Sequence, residues 1–215
     1  ELYLALEDYK DTTGRPIYAY CASMAASGGY YLACTADKIL MNRNCMTGSI
    51  GVTAGTYIDI SGFLEEQGIK TTSIYVGKNK TMGSYFEGFT EEQKQIYTDI
   101  LMETYDQFVQ VVADGRGLTT EEVTALADGR IYSPKQALAN KLADGIMTSK
   151  EAMTAMIEDC DLGDGVQYID YSPSTDFTLS DLLGVLTSAK QTELDSYLAA
   201  IKMPVNGPAY YYEGM

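Results

Sequence analysis

The stretch of sequence that decides the fold reads Ile17-Tyr18-Ala19-Tyr20-Cys21-Ala22-Ser23-Met24-Ala25-Ala26-Ser27-Gly28-Gly29-Tyr30-Tyr31. Its β-branched and aromatic beginning predicts a strand, and its small and aromatic end predicts a helix. Ser27 therefore falls at a strand-to-helix turn, where backbone N–H groups and a helix dipole can stabilise negative charge on a carbonyl oxygen. Such a turn suits a nucleophile, although the same small residues also form ordinary helix entries.

The chain of 215 residues contains no histidine. A Ser-His-Asp triad made within one chain is therefore excluded, and a nucleophilic Ser27 needs a lysine, a carboxylate or a group from elsewhere as its base. Lys80 is the best candidate, because it lies just beyond a predicted strand, where α/β folds gather their active residues. Lys78 is the rival, since residues two apart on an extended chain point to the same side.

A lysine accepts a proton only when its amine is neutral, so local desolvation must outweigh the negative charge of the chain. Apolar neighbours that could form a dry wall are Tyr75, Val76, Met82, Tyr85 and Phe86. The Ser49 hydroxyl is a plausible partner that would orient the amine. Taken alone, Lys80 also fits a solvated surface charge, and Ser49 also fits a turn residue between glycines.

Composition narrows the classes of partner. The net charge of −15, with no basic run, argues against nucleic acid and against anionic membrane surfaces. No stretch approaches the roughly 18 apolar residues that span a bilayer. The four cysteines lack metal-site spacing, so we expect small buried side chains, no metal and no cofactor.

Alternating strand and helix signals predict an α/β fold with a mainly parallel sheet and a helical C-terminal half. Helices are expected over Leu2–Tyr9, Gly29–Ala36, Gly62–Gly68, from Thr90, Thr119 and Ser133, over Thr148–Glu158, and over Leu179–Val185. Strands are expected over Pro16–Cys21, Asp37–Met41 and Thr71–Gly77, and Met46–Val52 is expected to be a loop that enters a strand.

Several motifs together resemble the signal peptide peptidase family, also called protease IV, of the Clp protease/crotonase superfamily. They are Ser23–Tyr31, Ala36-Asp37-Lys38-Ile39, Thr47-Gly48-Ser49-Ile50-Gly51-Val52, Gly77-Lys78-Asn79-Lys80, Gly115-Arg116-Gly117-Leu118, Asp128-Gly129-Arg130-Ile131-Tyr132-Ser133, Gln136-Ala137 and Ala143-Asp144-Gly145. Their order and spacing cover about residues 1–150. Each piece is weak alone, but the series makes coincidence implausible.

The resemblance implies a serine–lysine endopeptidase of Clp protease/crotonase-like fold. Ser27 matches the family's nucleophile and Lys80 its general base, while Ser49 matches a serine that can hydrogen-bond the lysine. The backbone N–H of Ser27 or Gly28 would be one donor of the oxyanion hole.

The family also implies what the protein acts on and where. Its substrates would be hydrophobic peptides, such as remnant signal peptides, cleaved through an acyl-enzyme on the extracytoplasmic side of the cell membrane. The resemblance also implies a ring-shaped homo-oligomer, since relatives in the family form rings. The tyrosine-rich helices agree with an oligomer, because they offer apolar surface that is hard to hide in a monomer.

Family members carry an upstream membrane anchor, a set of strands and a glycine amide that completes the oxyanion hole, and none of these lies within residues 1–215. Loss of one oxyanion donor costs about 3–4 kcal/mol in the transition state, so we expect this chain alone to be nearly inactive. The expected domains are a partial peptidase domain over residues 1–160, with a helical extension from about residue 90, and an oligomerisation region or tail over residues 161–215.

Two other functions stay open as hypotheses. The same fold could serve as an inactive scaffold or assembly protein. It could also perform acyl-coenzyme A chemistry, although the lack of basic residues for coenzyme phosphates disfavours that activity.

Overall fold

Helices and strands alternate along the chain in a computed structural model that describes residues 1–163 and 165–169. The helices are α1 (Leu2–Thr13), α2 (Gly28–Ala33), α3 (Ser61–Glu66), α4 (Glu91–Arg116), α5 (Thr120–Thr124), α6 (Pro134–Ala139) and α7 (Ser149–Asp159). The strands are β1 (Tyr18–Cys21), β2 (Met24–Ala26), β3 (Lys38–Met41), β4 (Met46–Gly48), β5 (Ile131–Tyr132) and β6 (Gly145–Ile146).

The strands form two small sheets, with the orders β1-β3-β6 and β2-β4-β5. Every neighbouring pair is parallel except β4 with β5. The α/β class with a mainly parallel sheet is therefore confirmed. In the second sheet Ala26 pairs with Gly48, so the chain leaves β2 and β4 at the same edge, with Ser27 and Ser49 as the next residues.

Local side-chain chemistry sets the helix starts in the second half of the described chain. Four residues cap these helices: the side chains of Thr90, Thr119, Ser133 and Thr148 each accept a hydrogen bond from the backbone N–H three residues later. The Gln or Glu side chain at that later position accepts a hydrogen bond from the backbone N–H of the capping residue. These capping boxes satisfy N–H groups that a helix start would otherwise leave unpaired. The predicted starts and the helical character up to Asp159 are confirmed.

The core lies between α2, the strands and one face of α4. Its largest fully buried side chains include Tyr30, Ile39, Met41 and Phe108. The Tyr30 hydroxyl donates to the Leu142 carbonyl at 2.8 Å, so this buried polar group is satisfied.

Helices α2 and α4 approach so closely that only glycine fits at position 115. A Cβ atom on Gly115 would lie 2.2 Å from the carbonyl oxygen of Cys34. Since that oxygen belongs to the backbone, it cannot move aside cheaply.

We expect Gly115→Ala to lower the free energy of unfolding by about 2–4 kcal/mol, because overpacking outweighs the better helix propensity of alanine. Chemical denaturation measures the change. Gly62→Ala is the matched control, because Gly62 also lies in a helix but nothing lies within 4 Å of an added Cβ. Equal stability of the two variants would contradict the close packing.

The predicted strand over Thr71–Gly77 is wrong. Residues 71–75 adopt no regular secondary structure, and the side chains of Ile74 and Val76 are each 96% exposed. Alternating apolar residues form a strand only when another strand pairs with them, and the described residues supply no such partner. The segment 46–52 also differs from the prediction, because Met46–Gly48 is itself a strand and the irregular stretch begins at Ser49.

The stretch between β4 and α4, residues 49–90, contains only the short helix α3 and packs against α4 through aromatic rings. Tyr57, Phe89 and Tyr97 form a trio with centroid separations of 4.8, 5.6 and 5.7 Å. Other large apolar side chains of the stretch stay exposed, namely Ile58, Phe63, Ile69, Ile74, Tyr75, Val76, Tyr85 and Phe86. These eight side chains fall within one segment of the chain, residues 58–86, and together we call them the exposed apolar surface.

The predicted helix over Leu179–Val185 and the aromatic end at Tyr210–Tyr212 lie outside the described residues. The predicted C-terminal oligomerisation region, residues 161–215, lies almost wholly outside them as well and stays a prediction, as does the predicted domain boundary.

Candidate active site

Ser27 lies between β2 and α2 with a backbone conformation that is unusual for its residue type. Its φ is 53° and its ψ is −123°, in a region that residues with a Cβ atom rarely occupy. Its N–H donates to the Gly48 carbonyl at 2.8 Å, and its carbonyl accepts from the Tyr31 N–H at 2.9 Å. Strain of about 1–3 kcal/mol held by surrounding hydrogen bonds is typical of functional turns.

Ser49 follows β4 and also has a positive φ, 50°. Its N–H donates to the Arg130 carbonyl at 2.7 Å. Next to it, the Gly129 N–H donates to the Ile50 carbonyl at 3.0 Å. Residues 129 and 130 therefore hold the backbone of residues 48–51, which we call the glycine loop, and the Gly48 carbonyl of that loop in turn holds Ser27.

Tyrosine hydroxyls fix that distant segment, residues 126–132. Tyr105 on α4 donates to the Ala127 carbonyl at 3.0 Å, and Tyr132 donates to the Leu126 carbonyl at 2.8 Å. The 126–132 segment can approach β4 this closely only because residue 48 is a glycine. A Cβ atom on Gly48 would lie 2.6 Å from the Tyr132 ring and 2.8 Å from the Arg130 carbonyl oxygen.

A cleft of about 480 Å³ opens where these pieces meet. Its lining residues are Ser27, Ser49, Gly51, Val52, Thr53, Tyr105, Ala127, Asp128 and Gly129. The structure thus brings Ser27 and Ser49, two of the predicted site residues, to one concave surface.

Of the two backbone N–H groups predicted as oxyanion donors, one already donates a hydrogen bond within the protein. The Ser27 N–H is used by Gly48, whereas no hydrogen bond among the described residues uses the N–H of Gly28, the first residue of α2. Gly28 is therefore the donor that remains available in this conformation.

Lys80 is not among the residues that line the cleft. It lies on an exposed turn, where its N–H donates to the Gly77 carbonyl at 3.0 Å, and its ammonium forms no hydrogen bond or ion pair with the described residues. The residues predicted as its dry wall are largely exposed, with Tyr75, Val76, Tyr85 and Phe86 between 44% and 96% accessible. Lys78 instead pairs with Glu92 at 2.7 Å.

Asp128 and Tyr105 line the cleft, although sequence reasoning gave neither a role in it. Asp128 appears in the motif Asp128–Ser133, and Tyr105 appears in the helical pattern of α4. The Arg130 side chain hydrogen-bonds the Asp128 carboxylate and holds its pKa below the usual range. An Asp-Gly turn after a short helix is the only local signal that points to this corner.

Cysteine chemistry does not compete with Ser27. The thiols of Cys21, Cys34 and Cys45 are buried, as expected, while Cys160 is partly exposed. Burial raises the pKa of Cys21 and of Cys34 to about 12, so both stay protonated and weakly nucleophilic near neutral pH. Among the described residues no cluster of three or more Cys, Asp or Glu side chains is arranged to hold a metal ion.

The model of peptidase family S49 matches residues 10–163. The chain is 35% identical over 208 residues to a protein of Enterococcus faecium named as a signal peptide peptidase SppA, covering 93% of this chain and 60% of that one. It is 32% identical to Protease 4 of Haemophilus influenzae, covering 65% of this chain and 22% of that one. It is 30% identical to capsid assembly protease C of Escherichia phage lambda, covering 66% of this chain and 32% of that one.

The chain spans less than two thirds of the length of each of these relatives. The family match agrees with the resemblance that the sequence motifs indicate. Within the described part of the chain, no helix combines the length and the apolar character needed to cross a membrane.

Proposed function

The chain belongs to peptidase family S49, and from this premise we propose that it is a serine endopeptidase in which Ser27 is the nucleophile and Lys80 the general base. The observation that carries the proposal is the position of Ser27. It sits at a strained strand-to-helix turn beside an open cleft, which is how a fold exposes a hydroxyl to a substrate carbonyl.

In the proposed reaction the Ser27 Oγ attacks the carbonyl carbon of a peptide bond while its proton passes to the neutral Lys80 Nζ. The C–N bond breaks as that proton moves to the leaving amine, and an acyl-enzyme remains. Water then attacks the ester, and its proton returns through Lys80 to Ser27. The Gly28 N–H would stabilise the oxyanion, and the Ser49 hydroxyl would orient the amine.

Lys80 must reach Ser27 for this reaction, and two routes are open. Either the turn that carries Lys80 moves toward the cleft, or a second copy of the chain supplies its own Lys80. The second route is supported by the exposed apolar surface, residues 58–86, which belongs to the same segment of the chain as Lys80 and which a neighbouring copy would cover. A ring-shaped homo-oligomer is part of the proposal for that reason.

We propose hydrophobic peptides, such as remnant signal peptides, as the substrate class and the extracytoplasmic face of the cell membrane as the place of action. The name of the Enterococcus faecium relative supports this substrate. An anchor upstream of these residues would provide the attachment.

An inactive scaffold or assembly role is the second candidate. It is favoured by the position of Lys80, which lies outside the cleft, and by the relative that is named as a capsid assembly protease.

A serine-reactive peptidyl phosphonate tests the dyad. We expect intact-mass measurement and peptide mapping to find covalent modification at Ser27, with a rate at least about 100-fold lower in Lys80→Ala, because the hydroxyl then lacks its base.

The matched control is Lys78→Ala, which removes a lysine two residues away that pairs with Glu92. Its modification rate should stay close to that of the unmodified sequence. No labelling at Ser27 in any oligomeric form would favour the scaffold, and equal loss in both lysine variants would remove the specific role of Lys80.

A further inference from the structure

We propose that the cleft beside Ser27 is the pocket that selects the substrate side chain next to the scissile bond, with Tyr105 setting its size and Asp128 excluding acidic groups. This inference rests on the proposed peptidase function. It names two specificity-determining residues and a substrate class, peptides whose side chain at that position is not acidic and packs against an aromatic ring.

The position of the cleft supports the proposal. A carbonyl under attack by Ser27 carries its own side chain within a few ångströms of the nucleophile, so that side chain must enter the nearest concave surface. The cleft of about 480 Å³ that Ser27 itself lines is that surface. Its volume is in the usual range for ligand pockets.

Tyr105 provides a fixed aromatic wall. It is half-buried, and its hydroxyl donates to the Ala127 carbonyl at 3.0 Å, so the ring cannot swing freely. Burial raises the pKa of Tyr105, which keeps the hydroxyl protonated as a donor. With its polar end engaged, the side chain offers the pocket mainly apolar ring surface.

Gly51 and Gly129 shape the cleft further. A Cβ atom on Gly51 would lie 3.2 Å from the Cα of Gly129, so the two backbones are already near contact. A side chain at position 51 would therefore fill space where the two backbone segments meet, and its absence keeps this side of the cleft open.

Asp128 is the only charged residue among those that line the cleft. Its carboxylate accepts two hydrogen bonds of 2.8 Å from the Arg130 Nε, and the Arg130 side chain itself is 63% exposed and not part of the lining. An entering carboxylate would therefore meet a like charge at short range, with the compensating cation on the solvent side.

The test uses a series of peptidyl diphenyl phosphonates, in which phosphorus replaces the attacked carbonyl carbon and the adjacent side chain mimics Ala, Leu, Phe, Lys or Glu. The measured quantity is the second-order rate of modification of Ser27. We expect the chain to prefer the Leu probe over the Glu probe by about tenfold or more.

Two charge variants should change this preference in opposite directions. Asp128→Asn removes the repulsion and leaves Arg130 unpaired, so the Leu-to-Glu ratio should fall by about fivefold. Arg130→Gln leaves Asp128 uncompensated, so the ratio should rise by a similar factor and the Lys probe should react faster. Both variants keep the backbone hydrogen bonds of the 126–132 segment.

Asp106→Asn is the matched control, since Asp106 is an exposed carboxylate next to Tyr105 on α4 that does not line the cleft. It should leave the ratio unchanged. Tyr105→Leu removes the aromatic ring from the side of the cleft, so the ratio of the Phe-probe rate to the Ala-probe rate should rise by about tenfold relative to the unmodified chain. Tyr105→Phe, which keeps the ring, should not change that preference, and thermal unfolding checks that each variant is folded.

The outcomes separate the two proposals. If no probe of the series modifies Ser27, the peptidase function fails, and the pocket assignment fails with it. If the probes modify Ser27 but the Asp128 and Arg130 variants leave the ratio unchanged or move it in the same direction, only the pocket assignment is overturned.

Discussion

Replacing Ser27 by alanine is expected to lower the rate of the acylation burst with an activated apolar peptide ester by about 10³-fold or more. The reason is that the cleft lining contains no thiol, and of its hydroxyl groups only that of Ser27 lies at the start of a helix, next to the Gly28 N–H that would stabilise the oxyanion. Stopped-flow release of the leaving alcohol measures the burst. An ester suits the experiment because its leaving group demands less oxyanion stabilisation than an amide.

Ser23→Ala is the control, because it removes an exposed hydroxyl that does not line the cleft. It should keep the burst. Ser49→Ala should lower the rate by about tenfold, the cost of one orienting hydrogen bond. A full burst from Ser27→Ala would remove Ser27 from the mechanism.

A mixture of Ser27→Ala and Lys80→Ala chains then separates the two routes by which Lys80 could reach Ser27. If a second copy supplies the lysine, the mixture regains part of the burst that each variant lacks. If the turn moves within one chain, the mixture stays as inactive as its components.

Gly48→Ala is expected to cause the second large effect. The added Cβ would lie 2.8 Å from the Arg130 carbonyl oxygen and 2.6 Å from the Tyr132 ring, in a residue whose φ is 87°. The 126–132 segment must then move away, and the Gly48 carbonyl that holds the Ser27 N–H moves with it. We expect a loss of about 2–4 kcal/mol in the free energy of unfolding and a burst at least about 100-fold slower.

Gly55→Ala is the control that separates two effects of Gly48→Ala, the close contact of the added Cβ and the cost of a side chain at a positive φ. Gly55 has nearly the same φ, 89°, but nothing lies within 4 Å of an added Cβ. This control should cost only about 1–2 kcal/mol for the left-handed backbone and should leave the burst intact. If both variants behaved alike, the contact between Gly48 and the 126–132 segment would not matter for the site.

Sequence alone predicted the features that depend on near neighbours. The helix starts at Thr90 and Thr148 follow from side chains three residues apart, so the capping pattern was sufficient. The turn at Ser27 was predicted in the same way, from a strand pattern followed directly by small residues.

Features that depend on distant partners were missed. Strands β5 and β6 contain two residues each and exist only through pairing with β4 and β3. The segment 71–77 shows the opposite case, a strand pattern without a partner among the described residues. Tyr105 and Asp128 reach the cleft only because α4 and the 126–132 segment fold against the glycine loop, which no local pattern reports.

Helix α4 gives these distant pieces one common support. Its 26 residues form a rod about 39 Å long. The rod carries the Tyr57–Phe89–Tyr97 trio near its beginning, Tyr105 in its middle and the tight Gly115 contact at its end. Because one continuous helix carries all three contacts, the spacing between the aromatic trio, the Tyr105 side of the cleft and the Gly115 contact is fixed by the geometry of that helix.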